Sequence, residues 1–263
     1  MNYTEILLPI IKEASKIMLS AHDVEGENAV STKAGFANFV TVYDNRVQDY
    51  LISEIGAAIP NAKFVAEEKE NELSLYDGEC VFVIDPIDGT TNFIRDLSHS
   101  SISVACLSKG EVVFGAVYNP YLDEMYYAER GKGAYLNGRK ISVSDREMKT
   151  AITLFGSSFY YRDELGERTF RLGYEYFNMC ADLRRFASAA IDLCYIASGK
   201  AEVFFELRLS PWDYLAGAII IEEAGGVITN IDRNPLSISE PSSVFASNKA
   251  CYEIMMQTAE KYK

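Results

Sequence analysis

Apolar and polar residues follow helical and strand-like periods along the chain. Residues 4–21 predict an amphipathic helix with Thr4 as its N-cap. Its apolar face comprises Ile6, Leu7, Ile10, Ile11, Ala14, Ile17, Met18 and Ala21. A second helix is expected over residues 44–58. The short apolar segments at 63–66 and 80–84 are typical of buried strands.

The pattern changes twice in the remainder of the chain. Residues 100–130 predict an antiparallel meander, and Asn137-Gly138 predicts a tight hairpin turn. Beyond residue 150 strands are expected at 152–155, 202–206, 227–229 and 244–246, and helices at 163–180, 187–198, 211–224 and from Asn248. This mixture predicts a layered α+β or α/β fold and leaves the strand order open. We expect one domain over 1–263 with two lobes meeting near 145–150.

Composition and charge narrow the function classes. The 263 residues are 48% hydrophobic and 24% charged, as in an ordinary globular enzyme. The net charge of −13, from 38 acidic and 25 basic residues, argues against a nucleic-acid partner. An acidic enzyme that acts on a phosphate ester needs local positive charge, which bound cations can supply.

The numbers of cysteines and histidines argue against disulfide, zinc and triad chemistry. The five cysteines are odd in number and form no CxxC pair, which indicates free thiols in a reducing compartment. The chain has only two histidines, which argues against a histidine-based zinc site and against a Ser-His-Asp triad. No apolar run approaches the ~18 residues that span a bilayer, and the N-terminus, with Glu5, lacks the basic segment of a secretory signal. We expect a cytoplasmic protein with no membrane partner.

The densest chemistry lies in segment 83–93, VIDPIDGTTNF. We expect the strand to end at Asp85, since α/β folds place ligands at strand ends. A turn stiffened by proline could direct Asp85, Asp88 and the carbonyl of Ile87 at one point, and such hard oxygen ligands suit Mg²⁺. The residues after Asp88 are expected to open a short helix whose free N–H groups could hold a phosphate.

Two further acids follow the same logic. Glu67 ends the short strand 63–66, and Asp213 lies in the first turn of a helix that Ser210 would cap and Pro211 would begin. Taken singly, each acidic segment also has a structural interpretation. A strand end can be solvated, and an acid in a first turn favours the helix dipole.

Together and in this order, these segments resemble the inositol monophosphatase family. The matching segments are Val65-Ala66-Glu67-Glu68, Asp85–Phe93, Trp212-Asp213 with Ala216-Gly217, Glu223–Gly226, the upstream Lys33 with Val40-Thr41 and Asp44, and Ala187–Ala190 at the family's GSAA turn. The resemblance covers nearly the whole chain. It implies an αβαβα sandwich of the sugar-phosphatase type, usually a homodimer, that hydrolyses a small polyol or sugar phosphate and is inhibited by lithium.

The resemblance also implies roles for individual residues. Two or three Mg²⁺ ions would be held by Glu67, Asp85, the carbonyl of Ile87, Asp88 and Asp213. Residues implied in catalysis are Glu67, Thr90, Asp44 and Lys33. Residues implied in substrate binding are Asp88, Gly89, Thr90, Ser188, Ala189 and Glu206. Asp44 would orient Thr90, which with Glu67 would activate the attacking water.

Two positions depart from the family pattern. Ala187 replaces the usual glycine of the GSAA turn, which is expected to narrow the sugar pocket. Asn38 replaces the usual aspartate near Lys33, in the mobile loop where a third, looser metal is expected. Neither departure touches the four carboxylates at 67, 85, 88 and 213.

Several other functions would also use acidic segments of this kind. A phosphatase with an aspartyl nucleophile needs DxDGT, but Pro86 stands two residues before Asp88. An EF-hand loop needs alternating carboxylates, which Ile84, Pro86 and Ile87 exclude. A catalytically silent relative that binds metal or a partner remains a different class. Inositol monophosphate leads among substrates, followed by fructose 1,6-bisphosphate, histidinol phosphate and a 3′-phosphoadenosine nucleotide.

Overall fold

A computed structural model describes residues 2–21, 24, 29–32, 39–69, 71–72, 76 and 78–263. Across these residues, helices and sheets stack as five alternating layers, and three apolar cores fill the space between them. The αβαβα sandwich expected from the family resemblance is therefore confirmed.

The first layer contains α1 (Tyr3–Leu19) and α2 (Val42–Ala58), preceded by the hairpin of β1 (Val30–Thr32) and β2 (Phe39–Thr41). The apolar faces of both helices pack on one face of the first sheet. The prediction that Thr4 caps α1 is wrong. Asn2 accepts from the Glu5 N–H at 3.4 Å, while Thr4 donates through N and Oγ1 to Glu129 at 3.0 and 2.7 Å.

The first sheet has seven strands in chain order. They are β3 (Lys63–Ala66), β4 (Val81–Asp88), β5 (Ser101–Ser108), β6 (Glu111–Asn119), β7 (Glu124–Glu129), β8 (Gly133–Leu136) and β9 (Arg139–Ile141). β3 pairs parallel to β4, and every later pair is antiparallel, which confirms the meander. The predicted hairpin turn joins β8 to β9, with Asn137 and Gly138 at φ of 49° and 79°.

The middle layer contains the helices that the two sheets enclose. These are α5 (Ala189–Ala197) and α6 (Pro211–Glu223). The short α3 (Thr90–Ile94) instead packs in the core that lies beneath α1 and α2. The side chains of α5 and α6 are buried almost all round, because β strands of both sheets pack against them. The helix expected from residue 187 begins two residues later, since Ala187 and Ser188 are not helical.

The second sheet and an outer helical layer complete the fold. Its strands β10 (Ile152–Phe155), β11 (Asp182–Arg184), β12 (Val203–Leu209), β13 (Val227–Thr229) and β14 (Ser242–Ser247) lie in the order β11-β10-β12-β14-β13. α4 (Arg162–Phe177) and α7 (Lys249–Ala259) cover its far face. The first sheet ends at Ile141 and the second begins at Ile152, and the division into two lobes near 145–150 stays a prediction. No helix in the described part of the chain has the length and apolarity to cross a membrane.

Candidate active site

A bulge in β4 sets the direction of its two aspartates. From Asp85 to Asp88, β4 uses three steps where β5 uses two, so one extra residue is accommodated. Residues three apart on a regular strand face opposite sides. With the bulge, Ile84 and Ile87 both pack beneath α1 and α2, and both aspartates line a cavity beside the middle layer. The prediction that the strand ends at Asp85 is wrong, because Pro86 lies at a bulge, where proline is tolerated.

Two neighbouring segments bring the other acids to the same place. Glu67 directly follows β3, and its N–H donates to the Ile84 carbonyl at 3.1 Å. Asp213 lies in the first turn of α6, where its Oδ2 accepts from the Ser210 N–H at 2.7 Å. Ser103 of β5, which pairs with Asp85, donates to the Trp212 carbonyl at 3.1 Å and so fixes the start of α6 against β5.

One cavity of about 510 Å³ collects most of the residues singled out by sequence. Those that line it are Glu67, Asp85, Ile87, Asp88, Gly89, Thr90, Ser188, Ala189, Glu206 and Asp213. Asp44 does not line it. Lys33 and Asn38 lie outside the described residues, so the predictions made for them are not tested.

Burial and mutual repulsion raise the pKa values of the cavity acids. Burial, followed by the charges of Glu67 and its aspartate neighbours, raises the pKa of Asp85 and of Asp213 well above the usual range. The pKa of Asp88 rises to about 6, because burial outweighs the hydrogen bonds that it accepts. Asp85, Asp88 and Asp213 form no ion pair with any described cation.

This donor set suits a hard divalent cation, because carboxylate oxygens dominate it and no described cation pairs with the buried Asp85 and Asp88 or the half-buried Asp213. Within the described ranges, however, no three His, Cys, Asp or Glu side chains are already grouped to hold an ion. Protein donors hold one oxygen of each of the three aspartates: Ile87 N on Asp85, Ser188 Oγ and Ala190 N on Asp88, and Ser210 N on Asp213. Metal ligation by these residues stays a prediction.

The turn before α5 holds Asp88 in place. Ser188 Oγ donates to Asp88 Oδ2 at 2.5 Å, and the Ala190 N–H donates to the same oxygen at 2.9 Å. Ser188 lines the cavity and its hydroxyl donates to Asp88, so its role in substrate binding stays a prediction. Ala187 lies at φ 64°, so alanine here takes the left-handed conformation that favours glycine.

α3 opens at Gly89, as expected from sequence. Gly89 has φ 86°, and a Cβ there would lie 3.1 Å from the carbonyl oxygens of Ala187 and His99. The Asn92 side chain crosses the same junction, and its Nδ2 donates to the carbonyls of His99 at 2.8 Å, Phe186 at 2.7 Å and Ala187 at 3.3 Å. The junction therefore joins the first sheet to the turn that holds Asp88.

Asp44 and Thr90 do not form the expected pair. Thr41 donates through N and Oγ1 to Asp44 Oδ2 at 2.7 and 2.5 Å, which makes Asp44 part of the N-cap of α2. Thr90 Oγ1 instead donates to the Ile87 carbonyl at 3.2 Å. Asp44 Oδ1 is buried and accepts no hydrogen bond from the described residues. Because neither side chain contacts the other here, the role of Asp44 in orienting Thr90 stays a prediction.

Glu206 lies on the cavity face of β12. Its Oε1 accepts from the Ser158 N–H at 2.7 Å. Burial raises its pKa to about 7, against the opposing effects of the Ser158 hydrogen bond and the Arg185 charge. A buried carboxyl of this kind can accept a hydrogen bond from a ligand hydroxyl.

The raised pKa of Glu206 predicts that the stability of the protein depends on pH. Between about pH 4.5 and 7 the folded state binds the proton that the unfolded state releases, so the free energy of unfolding falls as pH rises through this range. In metal-free protein, Glu206→Gln should remove up to ~3 kcal/mol of the decline between pH 5 and 8. Urea unfolding at both pH values measures this. Equal declines in the wild type and the variant would contradict the assignment.

Sequence reasoning missed several residues that line the cavity. Asp192 is 1% exposed, and its Oδ1 lies 4.0 Å from His99 Nε2, with neither atom hydrogen-bonded to the described residues. Arg185 and Arg208 also line the cavity. A lone acid four residues after Ser188, inside an apolar helix, and the Arg184-Arg185 pair before the turn are signals that could have found two of them.

The layered fold and the carboxylate-lined cavity define the class of protein. A model of the inositol monophosphatase family matches residues 2–263, and the chain belongs to this family. The Nus factor SuhB of Escherichia coli K12 is 38% identical over 214 residues, 81% of this chain and 79% of the relative. The inositol-1-monophosphatase of Mesorhizobium japonicum is 32% identical over 240 residues, covering 90% and 88%. SaIMPase-II of Staphylococcus aureus, solved with inositol monophosphate bound, superposes with a TM-score of 0.79 at 26% identity over 98% and 93% of the two chains.

Proposed function

We propose that this protein is a Mg²⁺-dependent phosphomonoesterase that hydrolyses a small polyol or sugar phosphate, with inositol monophosphate as the leading substrate. The observation that carries the proposal is the convergence of Glu67, Asp85, Asp88 and Asp213 on one cavity from three separate segments. A single acid would suit a strand end or a helix cap, but several acids whose charges raise the pKa values of Asp85, Asp88 and Asp213 need a reason to be together.

The metal and its ligands follow from the donor set. Glu67, Asp85, the Ile87 carbonyl, Asp88 and Asp213 would hold two or three Mg²⁺ ions. When bound, such ions supply Lewis-acid chemistry and a more acidic water. The overall charge of −13 makes this local compensation necessary before a phosphate dianion can enter.

The remaining groups position water and substrate. Glu67 and Thr90 would hold and deprotonate the attacking water, since both line the cavity beside the aspartates. Gly89 and Thr90 present backbone N–H groups to the phosphate. Glu206 and Ala189, which both line the cavity, would face the polyol, and Glu206 would accept hydrogen bonds from its hydroxyls. Attack by water in line with the leaving oxygen needs no covalent intermediate.

Metal removal tests the proposal most directly. We expect phosphate release from inositol 1-phosphate to disappear in EDTA and to return on adding Mg²⁺ in excess, because the cavity carboxylates repel a phosphate unless cations neutralise them. Phosphate release by malachite green measures this. Full activity in chelator would contradict the metal requirement, while inactivity with every ester and metal would contradict the phosphatase function.

Glu206 distinguishes substrate recognition from chemistry. Glu206→Gln should lower kcat/KM for inositol 1-phosphate by about ten- to a hundredfold, because a charged acceptor bond contributes ~1.5–3 kcal/mol. A small ester without ring hydroxyls, such as 4-nitrophenyl phosphate, should lose much less. Glu222→Gln, whose side chain pairs with Arg130 away from the cavity, serves as the control. Equal losses on both esters would place Glu206 with the metal carboxylates, and no loss on either would make it structural.

A partner-binding role without catalysis is the second candidate, and the relatives named as Nus factors favour it. The presence of all four cavity carboxylates favours the enzyme. We include the homodimer implied by the family resemblance in the proposal, and analytical ultracentrifugation tests it. Hydrolysis of a phosphomonoester by the pure protein would exclude a purely non-catalytic role.

A further inference from the structure

A short aromatic segment lines the cavity and has no part in the chemistry described so far. The 3₁₀ turn Phe159–Tyr161 lies between β10 and α4, and each of its three residues lines the cavity. Tyr160 is 58% exposed, although it shares the cavity with the buried Asp85 and Asp88. The segment therefore lies where the acidic cavity opens to solvent.

Hydrogen bonds to β12 hold the backbone of this turn in place. The Ser158 N–H donates to Glu206 Oε1 at 2.7 Å, and Ser158 Oγ accepts from the Arg208 N–H at 3.1 Å. Within the turn, the Tyr161 N–H donates to the Ser158 carbonyl at 2.8 Å. The aromatic side chains are therefore carried by a backbone that is tied to the second sheet.

The middle ring of the turn differs from its two neighbours. The Arg162 guanidinium lies 3.9 Å from the centre of the Phe159 ring, and the Arg208 guanidinium lies 4.4 Å from the centre of the Tyr161 ring. Tyr160 forms no ring contact and no hydrogen bond with any residue that the structure describes. Its hydroxyl is thus available to a ligand in the cavity.

The Tyr160 hydroxyl lies in the field of the proposed metal site. Burial, followed by the charges of the four carboxylates at 67, 213, 85 and 88, raises the pKa of Tyr160 above its usual range. The hydroxyl therefore stays protonated and can donate a hydrogen bond. Because it forms no hydrogen bond with these carboxylates in the described structure, a group bound among them can lie between the carboxylates and the phenol.

Two other hydroxyls of the cavity already have protein acceptors. Thr90 Oγ1 donates to the Ile87 carbonyl at 3.2 Å, and Ser188 Oγ donates to Asp88 Oδ2 at 2.5 Å. The Tyr160 hydroxyl has no such acceptor among the described residues. A phosphate oxygen is a charged acceptor, and a hydrogen bond to a charged group is stronger than one between neutral groups.

We propose that Tyr160 binds the phosphate of the substrate, its hydroxyl donating a hydrogen bond to a phosphate oxygen that is neither attacked nor part of the leaving group. The inference rests on the proposed phosphatase function and adds to it a residue that contacts the group common to every substrate. The contribution of Tyr160 is therefore independent of the alcohol, whereas that of Glu206 depends on the hydroxyls of the polyol.

Removing one oxygen atom tests this role. Tyr160→Phe should lower kcat/KM by about ten- to a hundredfold for both inositol 1-phosphate and 4-nitrophenyl phosphate, as expected for the loss of a hydrogen bond to a charged acceptor. Competitive inhibition by inorganic phosphate should weaken by a similar factor, because the product offers the same acceptor. The Mg²⁺ concentration that gives half-maximal activity should stay unchanged, since the hydroxyl contacts the phosphate and not the metal.

Tyr161→Phe is the matched control, because it removes a hydroxyl from the adjacent ring, which packs on Arg208, and it should leave all three quantities unchanged. Wild-type kinetics and phosphate inhibition in Tyr160→Phe would overturn the inference and leave the phosphatase function intact. So would a loss confined to the polyol ester, a changed Mg²⁺ requirement, or an equal loss in Tyr161→Phe. Failure of the wild-type protein to hydrolyse any phosphomonoester would overturn the phosphatase function and the inference together.

Discussion

Asp88→Asn and Asp213→Asn should each reduce kcat by about a thousandfold or more while the protein stays folded. Metal clamps of this type contribute several kcal/mol to the transition state, and each ~1.4 kcal/mol is tenfold in rate. Asparagine keeps an oxygen that can accept from Ser188 and Ala190 at position 88, or from Ser210 at position 213. Steady-state phosphate release measures the effect.

Two controls separate ligation from structure. Asp163, an exposed acid in the first turn of α4, occupies a helix position like that of Asp213 but lies outside the cavity. Asp163→Asn should leave kcat unchanged. Without metal, the two site variants should unfold no more easily than wild type at pH 8, because each removes a charge that raises the pKa values of its neighbours. A variant that keeps more than about a tenth of wild-type kcat would show that its aspartate is a structural cap.

Gly115→Ala should lower the free energy of unfolding by about 3 kcal/mol. A Cβ on Gly115 of β6 would lie 2.6 Å from both the Ala216 carbonyl oxygen and Ile219 Cγ2, and 2.9 Å from Ala216 Cα. The obstacle is partly backbone, so α6 itself would have to move, and overpacking of a filled core costs 1–3 kcal/mol or somewhat more. Urea unfolding with circular dichroism measures the loss.

Gly56→Ala should instead raise the free energy of unfolding, because the space around Gly56 is open. Gly56 is exposed in α2, and its nearest neighbour beyond the helix, the Phe64 ring, would lie 3.8 Å from a new Cβ. Alanine should stabilise the protein by about 1 kcal/mol, because glycine is unfavourable inside a helix. If Gly115→Ala proved as stable as wild type, the close approach of β6 to α6 would be contradicted.

The sequence predicted most of the helices and strands, because apolar periodicity, caps and turn residues act over a few neighbouring positions. The apolar stripe of α1, the hairpin turn at Asn137-Gly138 and the short helix after Gly89 all lie where the sequence indicated. The prediction for Thr4 is wrong because its hydrogen-bond partner, Glu129, lies 125 residues away in the sequence. The strand order of the second sheet depends on contacts of the same long range, which periodicity does not record.

The candidate site was predicted unevenly for the same reason. In β4, the apolar residues Ile84 and Ile87 are three positions apart, which interrupts the two-residue alternation of a regular strand. A bulge explains this interruption, but so does the end of a strand, and the sequence alone does not distinguish the two. Asp192 and the two cavity arginines acquire their surroundings only when distant segments meet. Most of the residues implied by family resemblance lie on the cavity, since the resemblance carries information about those meetings.

The amide of Asn92 has a consequence for how the chain folds. It joins its own segment to carbonyls 94 and 95 positions later, so these hydrogen bonds close a loop nearly one hundred residues long. Contacts of such high order form late, because much chain entropy is lost before they contribute. A nascent chain can complete the meander of the first sheet long before the turn that holds Asp88 has been synthesised. Catalytic activity should therefore be the last property to appear during refolding. Circular dichroism would detect the helices and strands as they form, whereas activity would appear only once the whole molecule is assembled.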